Sequence, residues 1–302
     1  MGTPEFAVAS LDALVQSGAL VVGVITAPDK PAGRGMKVTE SAVKKYAVEK
    51  NLLLLQPERL KAPDFIEALA ALQADLQVVV AFRMLPEIVW NTPPFGTLNV
   101  HGSLLPQYRG AAPINWAVIN GEKETGVTTF RLKHEIDTGD ILLQEAFSIG
   151  ENETAGEVHD RMKEIGAALL VKTVKGIAEG TLKEQPQTGI GDKTTLRHAP
   201  KIFTDTCRID WNQPTAEIFN LIRGLSPFPA AFTELEGRTL KIFRAKKIEL
   251  SAQVPPGIMQ TDQKTYIHFA TADGLISLLE LQLEGKKRMD VEDFLRGYRF
   301  NT

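Results

Sequence analysis

The sequence predicts an α/β protein in which a doubly wound, Rossmann-like domain precedes a small OB-like β-barrel domain. Short apolar runs alternate with amphipathic stretches over residues 1–181. Residues 182–205 are polar and show little periodicity, which is typical of a linker. Over residues 206–302, short β-like runs are separated by turns such as Glu236-Gly237. We therefore predict a first domain over 1–181, a linker over 182–205 and a second domain over 206–302.

The apolar runs of the first domain suit strands buried on both faces of a parallel sheet. They lie at residues 20–26, 52–56, 77–82 and 98–101, and helical spacing occupies 6–16, 40–50 and 64–72 between them. Thr3 followed by Pro4 predicts an N-cap and the first position of a helix. Two more alternating runs and a long amphipathic stretch predict the last elements, at 127–132, 141–147 and 157–177.

The beginning of the chain is unusual for this architecture. Such a domain opens with a central strand, but this sequence begins at the turn that should follow that strand. We expect a few apolar residues to be missing before Met1.

The second domain carries β-like runs at residues 230–235, 240–243, 266–269 and 275–281. Helical stretches are predicted at 214–223 and 291–296. Several short strands with few helices favour a small barrel.

Composition excludes several classes of protein. The 302 residues are 43% hydrophobic and 24% charged, as in a globular protein. Cys207 is the only cysteine, which excludes a disulfide framework or a cysteine zinc site within one chain. No apolar run is long enough to span a membrane, and the first residues do not resemble a signal peptide. We expect a cytoplasmic monomer without a bound metal.

Charge is distributed unevenly. The net charge of −3 does not indicate a general nucleic-acid binder. Basic residues nevertheless concentrate at 29–45 and at 238–247, which favours local contact with a polyanion. Solvated surface lysines remain the alternative for each patch.

The most informative stretch is NVHGSLLPQYRG at residues 99–110. Asn99 and His101 alternate on a predicted strand and therefore share a face at its carboxyl end, where open α/β sheets bind ligands. An amide donor beside an imidazole suits acyl transfer, because it combines stabilisation of an oxyanion with proton transfer. The spacing alone leaves a structural role open.

A second polar stretch, EIDTGDI, occupies residues 135–141 between two predicted strands. Its acidic loop suits a carboxylate directed into a cleft, from Asp137 or from Asp140. An ordinary polar turn is the alternative.

Taken together, Asn99, His101, the SLLP that follows and Asp137, 36 residues after His101, resemble the signature of the folate-dependent formyltransferases. Further stretches resemble the members of that family that act on methionyl-tRNA. These are MGTPEF at 1–6, PDKPAGRG at 28–35, RGAAPI at 109–114, RIDW at 208–211 and PFP at 227–229.

The resemblance implies a fold, an activity and a set of residues. It implies that 10-formyltetrahydrofolate, a reduced folate, donates a formyl group to the α-amine of methionyl-initiator tRNA, with no metal. It also implies Asn99, His101 and Asp137 as the catalytic residues. The folate-binding residues implied are Phe82, Arg83, Met84, Leu85, Ser103, Leu104, Leu105 and Pro106. The tRNA-binding residues implied are Arg34 and Lys37, in a protruding loop at 28–38, and Lys241, Lys246 and Lys247.

The sequence leaves other functions open. An amino-sugar nucleotide formyltransferase shares the stretch around His101, but the loop at 28–35 and the basic strand argue against it. Residues 206–302 argue against a phosphoribosyl-glycinamide formyltransferase, which normally lacks a C-terminal domain. A formyltetrahydrofolate hydrolase often has an additional regulatory domain, and the sequence shows none. A non-catalytic RNA-binding protein on a degenerate scaffold is disfavoured by the intact catalytic residues.

Overall fold

The computed structural model describes residues 1–32, 37–187, 196–248 and 253–300. Up to residue 187 the elements are α1 Glu5–Gln16, β1 Val24–Ile25, β2 Lys30–Ala32, β3 Lys37–Thr39, α2 Ala42–Glu49, β4 Leu54–Leu55, α3 Pro63–Ala71, β5 Gln77–Val79, α4 Glu87–Trp90, β6 Thr97–His101, β7 Arg109–Gly110, α5 Pro113–Ile119, β8 Glu124–Arg131, β9 Ile141–Ser148 and α6 Ala155–Ala178. From residue 196 onward they are β10 His198–Ala199, α7 Thr204–Cys207, α8 Thr215–Leu225, β11 Ala231–Leu235, β12 Arg238–Ile248, β13 Met259–Thr261, β14 Ile267–Ala270, β15 Leu275–Leu283, β16 Met289–Asp290 and α9 Val291–Gly297.

Residue contacts divide the chain into two compact units. The first comprises Met1–Arg109, Gly126–Phe147 and Asp160–Arg197, and the second comprises Gly110–Thr125, Ser148–His159 and His198–Thr302. The predicted boundaries at 181 and 205 stay a prediction.

The first unit contains the predicted α/β layer. β1 pairs with β4 and β5 with β6 in parallel, whereas β8 is antiparallel to β6 and β9 lies beyond it. Met1 and Gly2 lie between β1 and β5. The Gly2 N–H donates to the Ile25 carbonyl at 3.1 Å, and the Val80 N–H donates to the Met1 carbonyl at 2.9 Å. The predicted doubly wound α/β class is confirmed.

Helix α6 packs on this sheet at a glycine. A Cβ atom at Gly166 would lie 3.3 Å from Val127 on β8 and 3.4 Å from Val100 on β6. The absence of a side chain therefore lets the helix approach the two strands that carry the candidate site. Within the ranges described, no helix combines the length and the apolar content that crossing a membrane requires.

Several details of the predicted elements were wrong. Helix α1 begins at Glu5 with Pro4 in the N-cap position, so Thr3 does not cap it. The run at 20–26 forms a strand only at Val24–Ile25. Within the segment at 28–38, β2 pairs with β3 in an antiparallel arrangement, and the prediction that this segment protrudes stays a prediction.

The second unit is built on an antiparallel sheet in the order β11-β12-β15-β14-β13, with β16 paired to β15. Helix α8 covers it with Ile218, Ile222 and Leu225, spaced to share one helical face, and these pack into a core with Leu240 and Ile242 of β12. The sheet curls into a half-barrel, which confirms the predicted small β domain.

Candidate functional site

Strand β6 carries Asn99 and His101 between two neighbouring strands. Asn99 is paired with Val79 of β5, and His101 with Thr128 of β8. Because side chains alternate along a strand, Asn99 and His101 project to the same face. The Asn99 side chain is half-buried and makes no hydrogen bond to any residue in the described ranges. Its amide is therefore available to a ligand.

His101 is held in one orientation by its surroundings. Its side chain is only 8% exposed, and its ring packs edge-on against Phe130 with the centroids 6.4 Å apart. Nε2 lies 2.9 Å from the main-chain carbonyl of Tyr108. Since a carbonyl oxygen only accepts hydrogen bonds, we assign the proton of the neutral ring to Nε2. Nδ1 is then the nitrogen that can accept a proton.

Asp137 lies on the side of the ring that Nδ1 faces. Its Oδ2 is 3.8 Å from Nδ1, and its side chain is 14% exposed. Asp140, the other acid of this turn, instead forms an ion pair with Lys133 at 2.8 Å. The structure therefore brings Asp137, and not Asp140, to His101. In the described part of the chain, no three His, Cys, Asp or Glu side chains form a group that could hold a metal.

The turn that carries Asp137 has a conformation that depends on its neighbours. Asp137 adopts a positive φ of 55°, which is uncommon for a residue with a side chain. A Cβ atom at Gly139 would lie 1.6 Å from the Arg131 carbonyl, so only glycine fits there. Gln187, from the segment predicted as a linker, donates hydrogen bonds to the carbonyls of Asp137 and Gly139.

The turn that follows His101 is also tied down, by two side chains that no sequence pattern singled out. The Thr128 hydroxyl donates to the Ser103 carbonyl at 2.7 Å and accepts from the Leu105 N–H at 3.1 Å. The Gln144 amide donates to the Leu105 carbonyl at 2.9 Å. Thr128 and Gln144 lie on strands β8 and β9, far in sequence from the turn that they contact. No spacing pattern in the sequence therefore identifies them.

The predicted folate residues fall into two groups. Ser103, Leu105 and Pro106 are buried, and the Ser103 hydroxyl donates to the Gln107 carbonyl at 2.6 Å. Leu104 and Phe82 are half-buried and Met84 is exposed, whereas Leu85 joins the core. Within the described ranges, the main-chain groups of residues 83–85 make no hydrogen bonds. That segment is the better suited of the two to pair with the polar edge of a ligand.

The predicted tRNA residues are also unequal. Lys246 is exposed and has no ion-pair partner in the described ranges. Lys247 contacts Glu151 at 3.2 Å, and Lys241 donates to the Pro229 carbonyl at 3.4 Å. Arg34 lies outside the described residues, and so does the side chain of Lys37.

Two family models match this chain. The model described as formyl transferase matches residues 1–174, and the model described as formyl transferase, C-terminal domain, matches residues 201–299. Together they match most of the chain.

Relatives of known name match over nearly their whole length. The methionyl-tRNA formyltransferase of Bacteroides fragilis is 54% identical over 303 residues, 99% of this chain and 94% of the relative. That of Phocaeicola vulgatus is 58% identical over 306 residues, again 99% of this chain and 94% of the relative.

Solved structures at lower identity share the fold. WlaRD, a sugar 3N-formyl transferase solved with dTDP and 5-N-formyl-THF, superposes with a TM-score of 0.66 at 21% identity, over 95% of this chain and 97% of that one. HypX from Aquifex aeolicus in complex with tetrahydrofolic acid gives a TM-score of 0.60 at 20% identity, over 84% of this chain and 45% of that one. With family models that match most of the chain and relatives above 50% identity, this chain belongs to the formyl transferase family.

Proposed function

We propose that this chain transfers the formyl group of 10-formyltetrahydrofolate to the α-amino group of methionyl-initiator tRNA. The observation that carries the proposal is the identity of 50–58% to proteins named methionyl-tRNA formyltransferase, over 98–100% of this chain. A likeness of that extent includes both family domains. The product, N-formylmethionyl-tRNA, serves translation initiation, which takes place in the cytoplasm.

His101 is proposed to move the proton in this reaction. The attacking amine must be neutral, and it loses a proton as its nitrogen bonds to the formyl carbon. Nδ1 accepts that proton because Nε2 is already committed to the Tyr108 carbonyl. The same proton then passes to N10 of the folate as the bond between N10 and the formyl carbon breaks. No net proton is gained or lost by the enzyme.

Asn99 is proposed to stabilise the negative charge that develops on the formyl oxygen during attack. Its amide lies on the same strand face as His101 and is free of partners in the described ranges. A donor directed at a developing oxyanion typically contributes about 3 kcal/mol to the transition state.

Asp137 is proposed to support the protonated form of His101. A separation of 3.8 Å is too long for a direct hydrogen bond but leaves the two groups in electrostatic contact. Both side chains are largely buried, so solvent screens this contact poorly.

Residues 82–85 are proposed to receive the folate, together with Leu104. The unpaired main-chain groups of residues 83–85 supply donors and acceptors for a pterin edge, and Phe82 and Met84 supply apolar surface. Ser103, Leu105 and Pro106 are proposed to shape this site from below the surface, because they are buried.

The acceptor arm of the tRNA is proposed to contact the basic residues of both domains. Lys246 has the exposure that a phosphate contact requires, and Lys241 and Lys247 lie on the same strand. Arg34 and Lys37 are proposed to contribute from the segment at 28–38.

One assay tests the proposal. The protein is incubated with 10-formyltetrahydrofolate labelled in the formyl group and with charged initiator tRNA, and N-formylmethionyl-tRNA is measured. A parallel reaction offers a dTDP-linked amino sugar as acceptor. We expect label in the tRNA product alone. Label only in the sugar would overturn the assignment of the acceptor, and label in neither would overturn the proposed activity.

A further inference from the structure

Gln187 occupies an unexpected place for a residue in a predicted linker. Its side chain belongs to a residue that is only 6% exposed. The amide nitrogen donates to the carbonyls of Asp137 at 3.0 Å and of Gly139 at 2.7 Å. The amide oxygen accepts from Arg109, at 3.1 Å from Nε and 2.6 Å from Nη2. Both the nitrogen and the oxygen of one buried amide are therefore hydrogen-bonded, so this side chain links the segments on either side of it.

This amide connects the turn that carries Asp137 to the segment that holds the His101 ring through the Tyr108 carbonyl. Arg109 directly follows Tyr108, whose carbonyl receives the hydrogen bond from His101. On its other side, Gln187 holds the two main-chain carbonyls that flank Thr138 in the Asp137 turn. These hydrogen bonds form a continuous path from His101 through Tyr108, Arg109 and Gln187 to the Asp137 turn.

The Asp137 turn needs such support. A non-glycine residue at positive φ is strained and persists only where its surroundings hold it. Removing the Gln187 amide would also leave the carbonyls of Asp137 and Gly139 without these hydrogen bonds. A carbonyl that stays buried without a donor destabilises the folded turn. The turn would relax away from its present conformation and would carry the Asp137 carboxylate with it.

We propose that Gln187, oriented by Arg109, is a positioning residue that sets the distance between His101 and Asp137 and thereby the rate of formyl transfer. This inference rests on the proposed function. Gln187 acts through Asp137 and does not itself contact a substrate.

The direct test is Gln187→Leu, which keeps the approximate size of the side chain and removes both polar ends. Misplacing a group by about 1 Å costs up to about 100-fold in rate, so we expect kcat to fall by about 10- to 100-fold. KM for the folate and for the tRNA should change by less than about twofold, because neither substrate loses a contact. The matched control is Gln185→Leu, two residues earlier, where the side chain is exposed. That variant should retain wild-type kinetics.

A double-mutant comparison separates positioning from a general loss of structure. If Gln187 acts through Asp137, Gln187→Leu should lower kcat by less than about threefold in an Asp137→Asn background. A full 10- to 100-fold loss in that background would overturn the proposal, and so would wild-type kcat in Gln187→Leu alone. If Gln187→Leu does not fold, Gln187→Asn serves instead, because it keeps the amide but is too short to bridge both partners.

Hydrogen exchange measured by mass spectrometry tests the tie without any activity. We expect faster exchange in residues 101–109 and 133–140 of Gln187→Leu, and no change in Gln185→Leu. Unchanged exchange in both segments would overturn the inference. If the wild-type protein fails to formylate methionyl-tRNA while exchange responds as expected, the proposed function fails and the tie between the two turns stands.

Discussion

The site around His101 and strand β12 of the second unit both bring a cation-forming group to a carboxylate, but they do so in opposite environments. His101 and Asp137 are 3.8 Å apart, with side chains 8% and 14% exposed. Arg244 and Glu157 are only 2.6 Å apart, with side chains 46% and 45% exposed. We expect the longer contact to contribute more free energy than the shorter one, because water screens the shorter one. We therefore expect burial, and not distance, to decide which contact contributes more free energy.

Removing the imidazole from the buried pair should give the largest effect. His101→Ala eliminates the group proposed to move the proton, and we expect kcat to fall by about two to four orders of magnitude. Formylation of methionyl-tRNA under single-turnover conditions measures it. His198→Ala is the control, since that side chain is exposed. Turnover of His101→Ala near the wild-type rate would remove His101 from the mechanism.

Neutralising the carboxylate tests whether the 3.8 Å contact matters. Asp137→Asn keeps the shape of the side chain and removes the charge that supports a protonated His101. We expect kcat to fall by about 10- to 100-fold with little change in either KM. Asp140→Asn is the matched control, because Asp140 pairs with Lys133. Equal losses in the two variants would show that the turn, and not the Asp137 charge, is what catalysis needs.

The placement of Asn99 and His101 on one face of a strand followed from the sequence, and the reason is local. Asn99 and His101 lie two residues apart on an apolar run, so alternation along a strand was enough to place them on one face. The class of the sheet followed from the same apolar runs. The boundaries did not, since β1 pairs over only two residues of a seven-residue apolar run.

What the sequence could not supply are contacts that depend on tertiary structure. Thr128 and Gln144 meet the turn after His101 from other strands, and Gln187 reaches the Asp137 turn from 50 residues away. A polar, aperiodic segment predicts a linker, and nothing in its composition distinguishes a buried glutamine from an exposed one.

Lys246 and Lys247 of β12 extend the comparison to the residues proposed to contact the tRNA. Lys246 is exposed without an ion-pair partner in the described ranges, whereas Lys247 already contacts Glu151. We expect Lys246→Ala to raise KM for tRNA several-fold and to lower the slope of log KM against log salt by about 1. Lys247→Ala should have the smaller effect, because its charge is partly neutralised. The opposite order, measured between about 50 and about 200 mM salt, would contradict the assignment.

Removing the exposed ion pair between Arg244 and Glu157 should give the smallest effect. The dependence of the free energy of unfolding on pH measures it. Burial raises the pKa of Glu157, but the hydrogen bonds from the Thr154 N–H, Arg244 and the Thr154 hydroxyl outweigh it, and the pKa is lowered from 4.5. Because the folded pKa is the lower one, the stabilisation is present above about pH 4.5 and is lost as the pH falls through the folded value.

Glu157→Gln isolates the charge, since glutamine still caps the start of α6 through Thr154. We expect a loss of less than about 1 kcal/mol in the free energy of unfolding near pH 7, as for other exposed pairs. The difference from wild type should shrink towards about pH 3, because the wild-type carboxylate is then increasingly protonated. Urea unfolding at both pH values measures this, with Glu164→Gln, an exposed residue of the same helix, as control. A loss of several kcal/mol at neutral pH would mean that exposure does not rank these pairs after all, and that the short contact to Arg244 outweighs its screening by water.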